Sequence, residues 1–374
     1  MRVTESSSFK VDASSGRARA ATLSLRSGVV KTPAFMPVAT QATVKATTPA
    51  EVAASGASLV IMNTYHLWLR PGPEVIAAHG GLHQFSRWFK PIATDSGGYQ
   101  AFSLAERVRM SEDGFEFASH LDGTRLMLSP EESMRVQGLL GSDIAMQLDI
   151  CPPAGAPPER LRAAVDCTTR WAERSLATKA PGQALFGIVQ GGTDVELRLE
   201  HAEQLAKLPL DGLALGGFSV GEPVEVMHTT LDRVADHLDA ARPRYLMGVG
   251  TPRDLLVAIG AGVDLFDCVL PTRNARNGQV FVATGRLSIK QARFREDQQP
   301  LEPGCACPAC AGGYSRAYLR HLFLADEILA HRLLTLHNLH HYGSLIAEAR
   351  AAIVRGAYDA WAAGRLATLK ACSG

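Results

Sequence analysis

Cys305, Cys307 and Cys310 crowd into six consecutive positions, and His337 follows 27 residues after the last of them. Three soft thiolates and an imidazole form the donor set of a tetrahedral zinc site. Pro303, Gly304 and Pro308 bend the segment so that the sulfurs can converge. Four protein donors would fill the coordination sphere, whereas a hydrolytic zinc keeps one position open, so one structural Zn2+ is expected. His331, His340 and His341 are alternative fourth ligands. His337 is preferred because it ends the helical pattern read over 315–336. Three buried free thiols, the bland alternative, would leave the clustering unexplained.

A second set of reactive residues is scattered along the chain at equivalent places. Apolar runs at 58–62, 90–94, 144–148, 185–189, 212–215, 245–247 and 263–266 lead into Asn63, Asp95, Asp149, Gln190, Gly216-Gly217, Gly248 and Asp267. Helical patterns lie between them: 158–177 carries Leu161, Val165, Ala172 and Leu176 on one face, and Ser129-Pro130-Glu131-Glu132 reads as an N-cap with a first-turn proline and a capping-box glutamate. Alternating strands and helices argue for βα units around a parallel sheet. Eight units would close a (β/α)8 TIM barrel, an α/β fold whose active site lies at the carboxyl ends of its strands, so that Asp95, Asp149, Gln190 and Asp267 converge. The stretch 108–128 departs from the repeat and alternates like a hairpin, and 9–35 reads as leading strands. From the residues alone, one such barrel is as plausible as two smaller domains, with a metal-tied subdomain around the cysteine knuckle attached to it.

Two carboxylates from different strand ends can divide a glycosidic exchange. One attacks the anomeric carbon and the other handles the proton of the leaving group. Asp95 and Asp267 are the candidates; for either, the plain alternative is an aspartate capping a turn. Asp149, Gln190 and the exposed backbone at Gly216-Gly217 supply acceptors and donors for the edge of a purine-like ring.

Composition sets limits. At 374 residues and 46% hydrophobic side chains the chain buries a large core, and its net charge of +1 excludes a uniformly basic nucleic-acid coat while allowing a local patch. The cysteines outside the knuckle, Cys151, Cys167, Cys268 and Cys372, show no secreted disulfide pattern, which fits a reducing cytoplasm. Neither a signal peptide nor a membrane-spanning run is expected.

Five longer runs now become recognisable: 32–38 (TPAFMPV), 63–67 (NTYHL), 95–100 (DSGGYQ), 245–250 (YLMGVG) and 267–273 (DCVLPTR), followed by the cysteine knuckle. In order and over nearly the whole chain, they closely resemble the bacterial tRNA-guanine transglycosylases of the queuine tRNA-ribosyltransferase family. The resemblance implies a single (β/α)8 barrel over 1–374, with a zinc-binding subdomain inserted at about 290–342, and an enzyme that exchanges the wobble guanine of G-U-N anticodon tRNAs (Asp, Asn, His and Tyr types) for a 7-deazaguanine, with no redox or nucleotide cofactor. By that resemblance Asp267 is the nucleophile at C1′ and Asp95 the proton acceptor and donor. Asp95, Ser96, Gly97, Gly98 and Tyr99 line the base site with Asp149, Gln190, Gly217 and Met247. Asp149 accepts from the ring N–H and amino group, Gln190 and the Gly217 amide donate to the ring carbonyl, and Tyr99 and Met247 sandwich the flipped base. The RNA-contacting loops would be Gly248, Val249, Gly250, Thr251, Pro252, Arg253 and Asp254, and Thr272, Arg273, Asn274, Ala275 and Arg276.

The incoming base is read from smaller features. Members that take preQ1, a 7-aminomethyl-7-deazaguanine, are similar to this chain in pairing Cys151 with Val220, and Glu222 is retained; queuine is the alternative base. Ile150 stands where the family's motif has a glutamate, Phe218 replaces a leucine, and Thr251 stands where a lysine is common. One extra residue separates Cys310 from the helix at Ser315, and Asn338 after His337 reproduces a His-Asn pair. Phe85, Tyr314, Tyr318 and His321 match an aromatic patch at the family's homodimer contact. A non-catalytic RNA-binding relative, a small-molecule nucleosidase and a DNA-modifying relative are the competing readings.

Overall fold

The apolar runs close into a barrel because each is bounded by a residue that turns the chain and because each is too short to be anything but a buried strand. The computed structural model describes residues 7–104 and 106–371; Cys372 and the first six residues lie outside that range. The chain opens with an antiparallel meander, β1 (Ser7–Ser15), β2 (Ala18–Leu25) and β3 (Gly28–Thr32). Barrel strands β4 (Ala34–Ala39), β5 (Val60–Met62) and β6 (Ile92–Thr94) follow. A second meander, β7 (Glu106–Met110), β8 (Phe115–Ala118) and β9 (Arg125–Leu128), interrupts them. The barrel resumes with β10 (Ile144–Met146), β11 (Ala184–Val189), β12 (Gly212–Leu215), β13 (Arg244–Leu246) and β14 (Leu265–Cys268), and a hairpin of β15 (Gln279–Val282) and β16 (Gly285–Ser288) comes after. All eight barrel strands pair in parallel, β14 against β4 and β6 against β10, so the sheet has no edge. Every residue of β5, β6, β10, β11, β12 and β13 is buried, as expected for strands covered on both faces.

Carboxylates also pin the opposite end. Asp143, Asp211 and Asp264 stand just before β10, β12 and β14 and accept the N–H groups of Ile92 (2.8 Å), Leu185 (2.9 Å) and Arg244 (2.8 Å) on the neighbouring strands. Asp143 also takes the Ser27 N–H at 2.9 Å, and Asp264 pairs with Arg19, so the leading meander lies across the amino-terminal end. These acids satisfy backbone donors, and the carboxyl-terminal rim is left for chemistry.

Three expectations need correction. The first barrel strand, β4, begins inside the stretch read as leading strands: after Pro33, which has no N–H to donate, Ala34 bonds to the Asp264 carbonyl at 2.8 Å and joins the barrel. The single helix expected over 315–336 is two, Arg316–Leu324 and Ile328–Val354. Asp326 takes a left-handed φ of 56° between them, a conformation aspartate tolerates, and the Glu327 N–H closes the first helix on the Leu322 carbonyl at 2.9 Å. His337 therefore projects from within the second helix and not from the end of the first. Ser129 caps the helix Pro130–Leu140 as expected, but Glu132 pairs with Arg135 at 2.8 Å instead of completing the capping box.

The helix Ile328–Val354 joins the two hydrophobic regions. Its first half, through Leu333 and Leu334, enters a core with Ala275, Val280, Ile289, Phe294 and Leu319, and its second half packs Tyr342, Leu345 and Ala349 into the barrel's outer core. At Gly343 it crosses the turn after the first barrel helix so closely that a Cβ would lie 1.9 Å from the Ser55 carbonyl oxygen, which only glycine permits. Among the described residues, no helix is long and apolar enough to cross a membrane.

Candidate active site and metal centre

Asp95 leaves β6 with its carboxylate against the end of β5. Asn63 caps the helix Thr64–Leu69, accepting the His66 N–H on its carbonyl oxygen at 2.9 Å, which frees its amide nitrogen to donate to Asp95 Oδ2 at 2.5 Å. The Thr64 N–H donates to Asp95 Oδ1 at 2.8 Å. Burial pushes the Asp95 carboxyl up to about 7; the Thr64 N–H opposes this, and the charges of Asp267 and Asp149 add to it. A carboxyl that titrates near neutrality can both give and take a proton.

Asp267, in β14, has the opposite arrangement. The Tyr245 hydroxyl donates to its Oδ1 at 2.6 Å and the Gly248 N–H donates to the same oxygen at 2.7 Å. Both bonds fall on one oxygen, so Oδ2 keeps its lone pairs for an electrophile, with no donor to it among the described residues. Burial raises this carboxyl too, against the stabilising bonds from Tyr245 and Gly248. Burial also keeps the Tyr245 phenol far above its ordinary value, so it remains a donor.

The third acid, Asp149, follows β10 and accepts from Gln190 Nε2 at 2.7 Å and Ser96 Oγ at 3.5 Å. Burial pushes it up to about 6, and the Gln190 amide is the main opposing influence. Gln190 is buried, and its Oε1 has no protein partner. Gly217, with φ of 68°, lies so near that a Cβ there would meet Oε1 at 2.4 Å, so the ends of β11 and β12 are in direct apposition. At Gly98 a Cβ would come within 2.8 Å of Leu148 Cδ1 and 3.3 Å of the Asp149 carbonyl oxygen, so this turn packs closely against the segment after β10. A cavity of about 360 Å³ opens beside Asp149, lined by Gly98, Tyr99, Phe115, Ile150 and Cys151, but not by Asp95 or Asp267. Tyr99 is 53% exposed, and Met247 is half-buried after β13.

The expected RNA loops divide by exposure. Gly248, Arg253 and Arg273 face solvent, and Arg276 is half-buried, bonding to the Thr272 carbonyl at 3.0 Å. Val249, Gly250, Pro252, Thr272, Asn274 and Ala275 are buried. Thr251 caps the helix Pro252–Gly260 in a full capping box with Asp254, whose other oxygen takes His228 at 2.9 Å. Asp254 is thus engaged within the fold, and the cations form the accessible face.

Sequence reading gave no role to Asn63, Thr64, Tyr245, Arg198 or His201. The first three lay inside the recognised runs, at or beside strand ends. Arg198 and His201 carried a signal of another kind: with Ala202 and Leu205 they occupy the buried stripe of the helix Val195–Ala206, where a charged side chain is out of place.

Cys305, Cys307, Cys310 and His337 come together as expected, their donor atoms all within 4.8 Å of one another. His337 Nδ1 lies 3.8, 3.4 and 3.6 Å from the sulfurs of Cys305, Cys307 and Cys310. Tetrahedral bonds of about 2.3 Å to sulfur and about 2.0 Å to nitrogen separate the donors by roughly 3.6 Å, so the set fits one metal ion. His337 Nε2 sits 2.8 Å from the Phe281 carbonyl, which holds the ring as the tautomer with Nδ1 free to coordinate.

Comparison with known proteins agrees with the geometry. The family profile described as Queuine tRNA-ribosyltransferase matches residues 12–371. A Queuine tRNA-ribosyltransferase of Sorangium cellulosum is 65% identical over 355 residues, covering 95% of this chain and 90% of the relative. Similarly named proteins of Aromatoleum aromaticum and Acidithiobacillus ferrooxidans are 52% and 51% identical, each across 95% of this chain.

Proposed function

The chain belongs to the queuine tRNA-ribosyltransferase family and is a tRNA-guanine transglycosylase, a pentosyltransferase; from that premise we propose that it replaces the wobble guanine of G-U-N anticodon tRNAs with preQ1 through a covalent enzyme–RNA intermediate. The carrying observation is the pairing of a carboxylate open on one oxygen, Asp267, with a carboxyl poised near neutrality, Asp95. Asp267 Oδ2 attacks C1′ of the ribose as the bond to the base N9 breaks. Asp95 delivers a proton to the departing guanine. It then takes one from the incoming 7-deazaguanine, whose N9 attacks C1′ and expels Asp267. Two inversions give retention. Unstacking the target is cheapest in an unpaired anticodon loop, which favours RNA loops over duplex DNA.

Base recognition is assigned to Asp149 for the ring N–H and amino group, and to Gln190 and the Gly217 amide for the ring carbonyl, with Ser96, Gly97 and Gly98 shaping the site. Tyr99 and Met247 hold the two faces of the base. For preQ1, the support lies in the Phe218–Ser219 peptide. Glu222 accepts the N–H groups of both Ser219 and Val220, and because a trans peptide opposes its N–H and carbonyl, the Phe218 carbonyl turns away from Glu222 as an acceptor for an aminomethyl ammonium. Arg253, Arg273 and Arg276, with the exposed Gly248 backbone, are assigned to the RNA.

The metal is assigned as one structural Zn2+, because three thiolates and an imidazole leave no open position. It ties a subdomain at about 290–342 to the single barrel. A reducing, cytoplasmic setting is proposed because the cysteines outside the cluster show no secreted disulfide spacing. Homodimerisation is proposed through Phe85, Tyr314, Tyr318 and His321: Phe85 and Tyr318 are 38% and 43% exposed, and the Tyr314 and Tyr318 rings stack 5.9 Å apart.

The test is incorporation of radiolabelled guanine into a tRNA with a G-U-N anticodon, in competition with preQ1 or queuine. Suppression mainly by preQ1 is expected. Preferential suppression by queuine would assign the salvage base instead.

A further inference from the structure

Arg198 is fully buried in the wall behind the proposed base-reading groups and makes no direct salt bridge among the described residues, the Glu222 carboxylate acting on it only through its charge. Its guanidinium is occupied by backbone carbonyls from two loops. Nε donates to Gly192 O at 2.6 Å and Nη1 to Val189 O at 3.2 Å, at the end of β11; Nη2 donates to Gly216 O at 2.9 Å and Gly217 O at 3.5 Å, at the end of β12. The Phe218 ring covers it, with the guanidinium carbon 3.9 Å from the ring centroid. Gly191 admits the side chain, since a Cβ there would come within 2.8 Å of Arg198 Cγ. One turn along the same helix, His201 Nδ1 accepts the Gln190 N–H at 2.9 Å.

An unpaired buried cation is costly, and an apolar side chain would fill the space at less expense. What the guanidinium adds is a fixed planar fork that a flexible or apolar group lacks. Its two arms span the segments that carry Gln190 and Gly217, so the separation of those residues is set by the width of one guanidinium. Two donors that must meet one carbonyl oxygen require placement within about 0.5 Å.

Building on the proposed recognition of the ring carbonyl by Gln190 and Gly217, we infer that Arg198, clamped by Phe218, is a positioning residue that holds these two donors at the spacing one base carbonyl requires. It touches no substrate and acts only through the two loops. Phe218 supplies the π face that closes the clamp.

The test compares guanine with 6-thioguanine, which keeps the ring N–H and the amino group but replaces the carbonyl oxygen with a poor acceptor. Both are measured as competitors of guanine exchange into tRNA, in the wild type, Arg198→Lys and Phe218→Leu. Arg198→Lys keeps the charge and loses the fork. Its apparent affinity for guanine should fall about tenfold, the equivalent of one hydrogen bond, with 6-thioguanine and the KM for tRNA nearly unchanged. Phe218→Leu should show the same selective loss at about threefold, and it keeps the proposal testable if the lysine variant fails to fold. Parallel weakening of both bases, or unchanged selectivity in Phe218→Leu, would overturn the positioning role. A wild type that exchanges no guanine would instead overturn the functional reading on which this rests.

Discussion

The two oxygens of Asp267 differ in their partners, and the proposed chemistry rests on that difference. Tyr245 and Gly248 both donate to Oδ1, which orients the carboxylate and leaves Oδ2 as the atom proposed to bond to carbon. Tyr245→Phe removes one hydrogen bond to a charged group, about 1.5–3 kcal/mol, so single-turnover capture of RNA should slow by roughly ten- to a hundredfold. The acid limb of its pH profile should also move up, because the phenol is the main influence holding the Asp267 carboxyl down against burial. Unchanged capture and an unmoved limb would contradict the assignment. Asp95 makes a prediction about stability. Its carboxyl is raised from the ordinary 3.8 to about 7, so between those values the native state binds the proton that the unfolded chain releases. The stabilising contribution is complete below the unfolded value and is lost as pH rises through about 7. Asp95→Asn should therefore abolish exchange yet melt higher than the wild type at pH 8, with the gap closing at pH 4. Equal melting temperatures at both pH values would show that Asp95 carries no such burden.

At the scale of elements, the barrel was legible because each strand is an apolar run ending in a polar or glycine residue, and seven of the eight ends were visible that way. The eighth, β4, was hidden by its own prelude, since a meander that ends at Thr32 and a barrel strand that begins at Ala34 leave only Pro33 as punctuation. The convergence of Cys305, Cys307, Cys310 and His337 was legible through spacing and chemistry. The route of His337 was not, because Asp326 breaks the helix by adopting a left-handed φ that no periodicity announces. Arg198 escaped because its partners are carbonyls, which side-chain patterns do not encode. The proposed metal site would tie this region together, since Cys307 and Cys310 belong to the same core as Phe294, Leu319 and Leu334. Chelation, or Cys310→Ser, should raise hydrogen exchange across 275–334 while the barrel strands stay protected, and should weaken tRNA binding. Unchanged exchange after verified metal loss would contradict a structural role.

For the whole molecule, a net charge of +1 means that RNA affinity depends on a few placed cations and not on overall attraction. Leu324, at the end of the helix that carries Tyr318 and His321, and Ile328, at the start of the next, are 56% and 78% accessible. A charge placed in such a surface by Ile328→Asp should shift a dimer toward monomer in sedimentation velocity, and a wild type that sediments as a monomer at micromolar concentration would refute the proposed assembly. The account turns most directly on which atom bonds to the RNA. An anticodon stem-loop incubated with enzyme, denatured, digested and mapped by mass spectrometry should yield a ribose adduct on the peptide containing Asp267. The same experiment with Asp267→Ala should yield RNA binding without an adduct. An adduct on Asp95, or capture that survives the loss of Asp267, would contradict it.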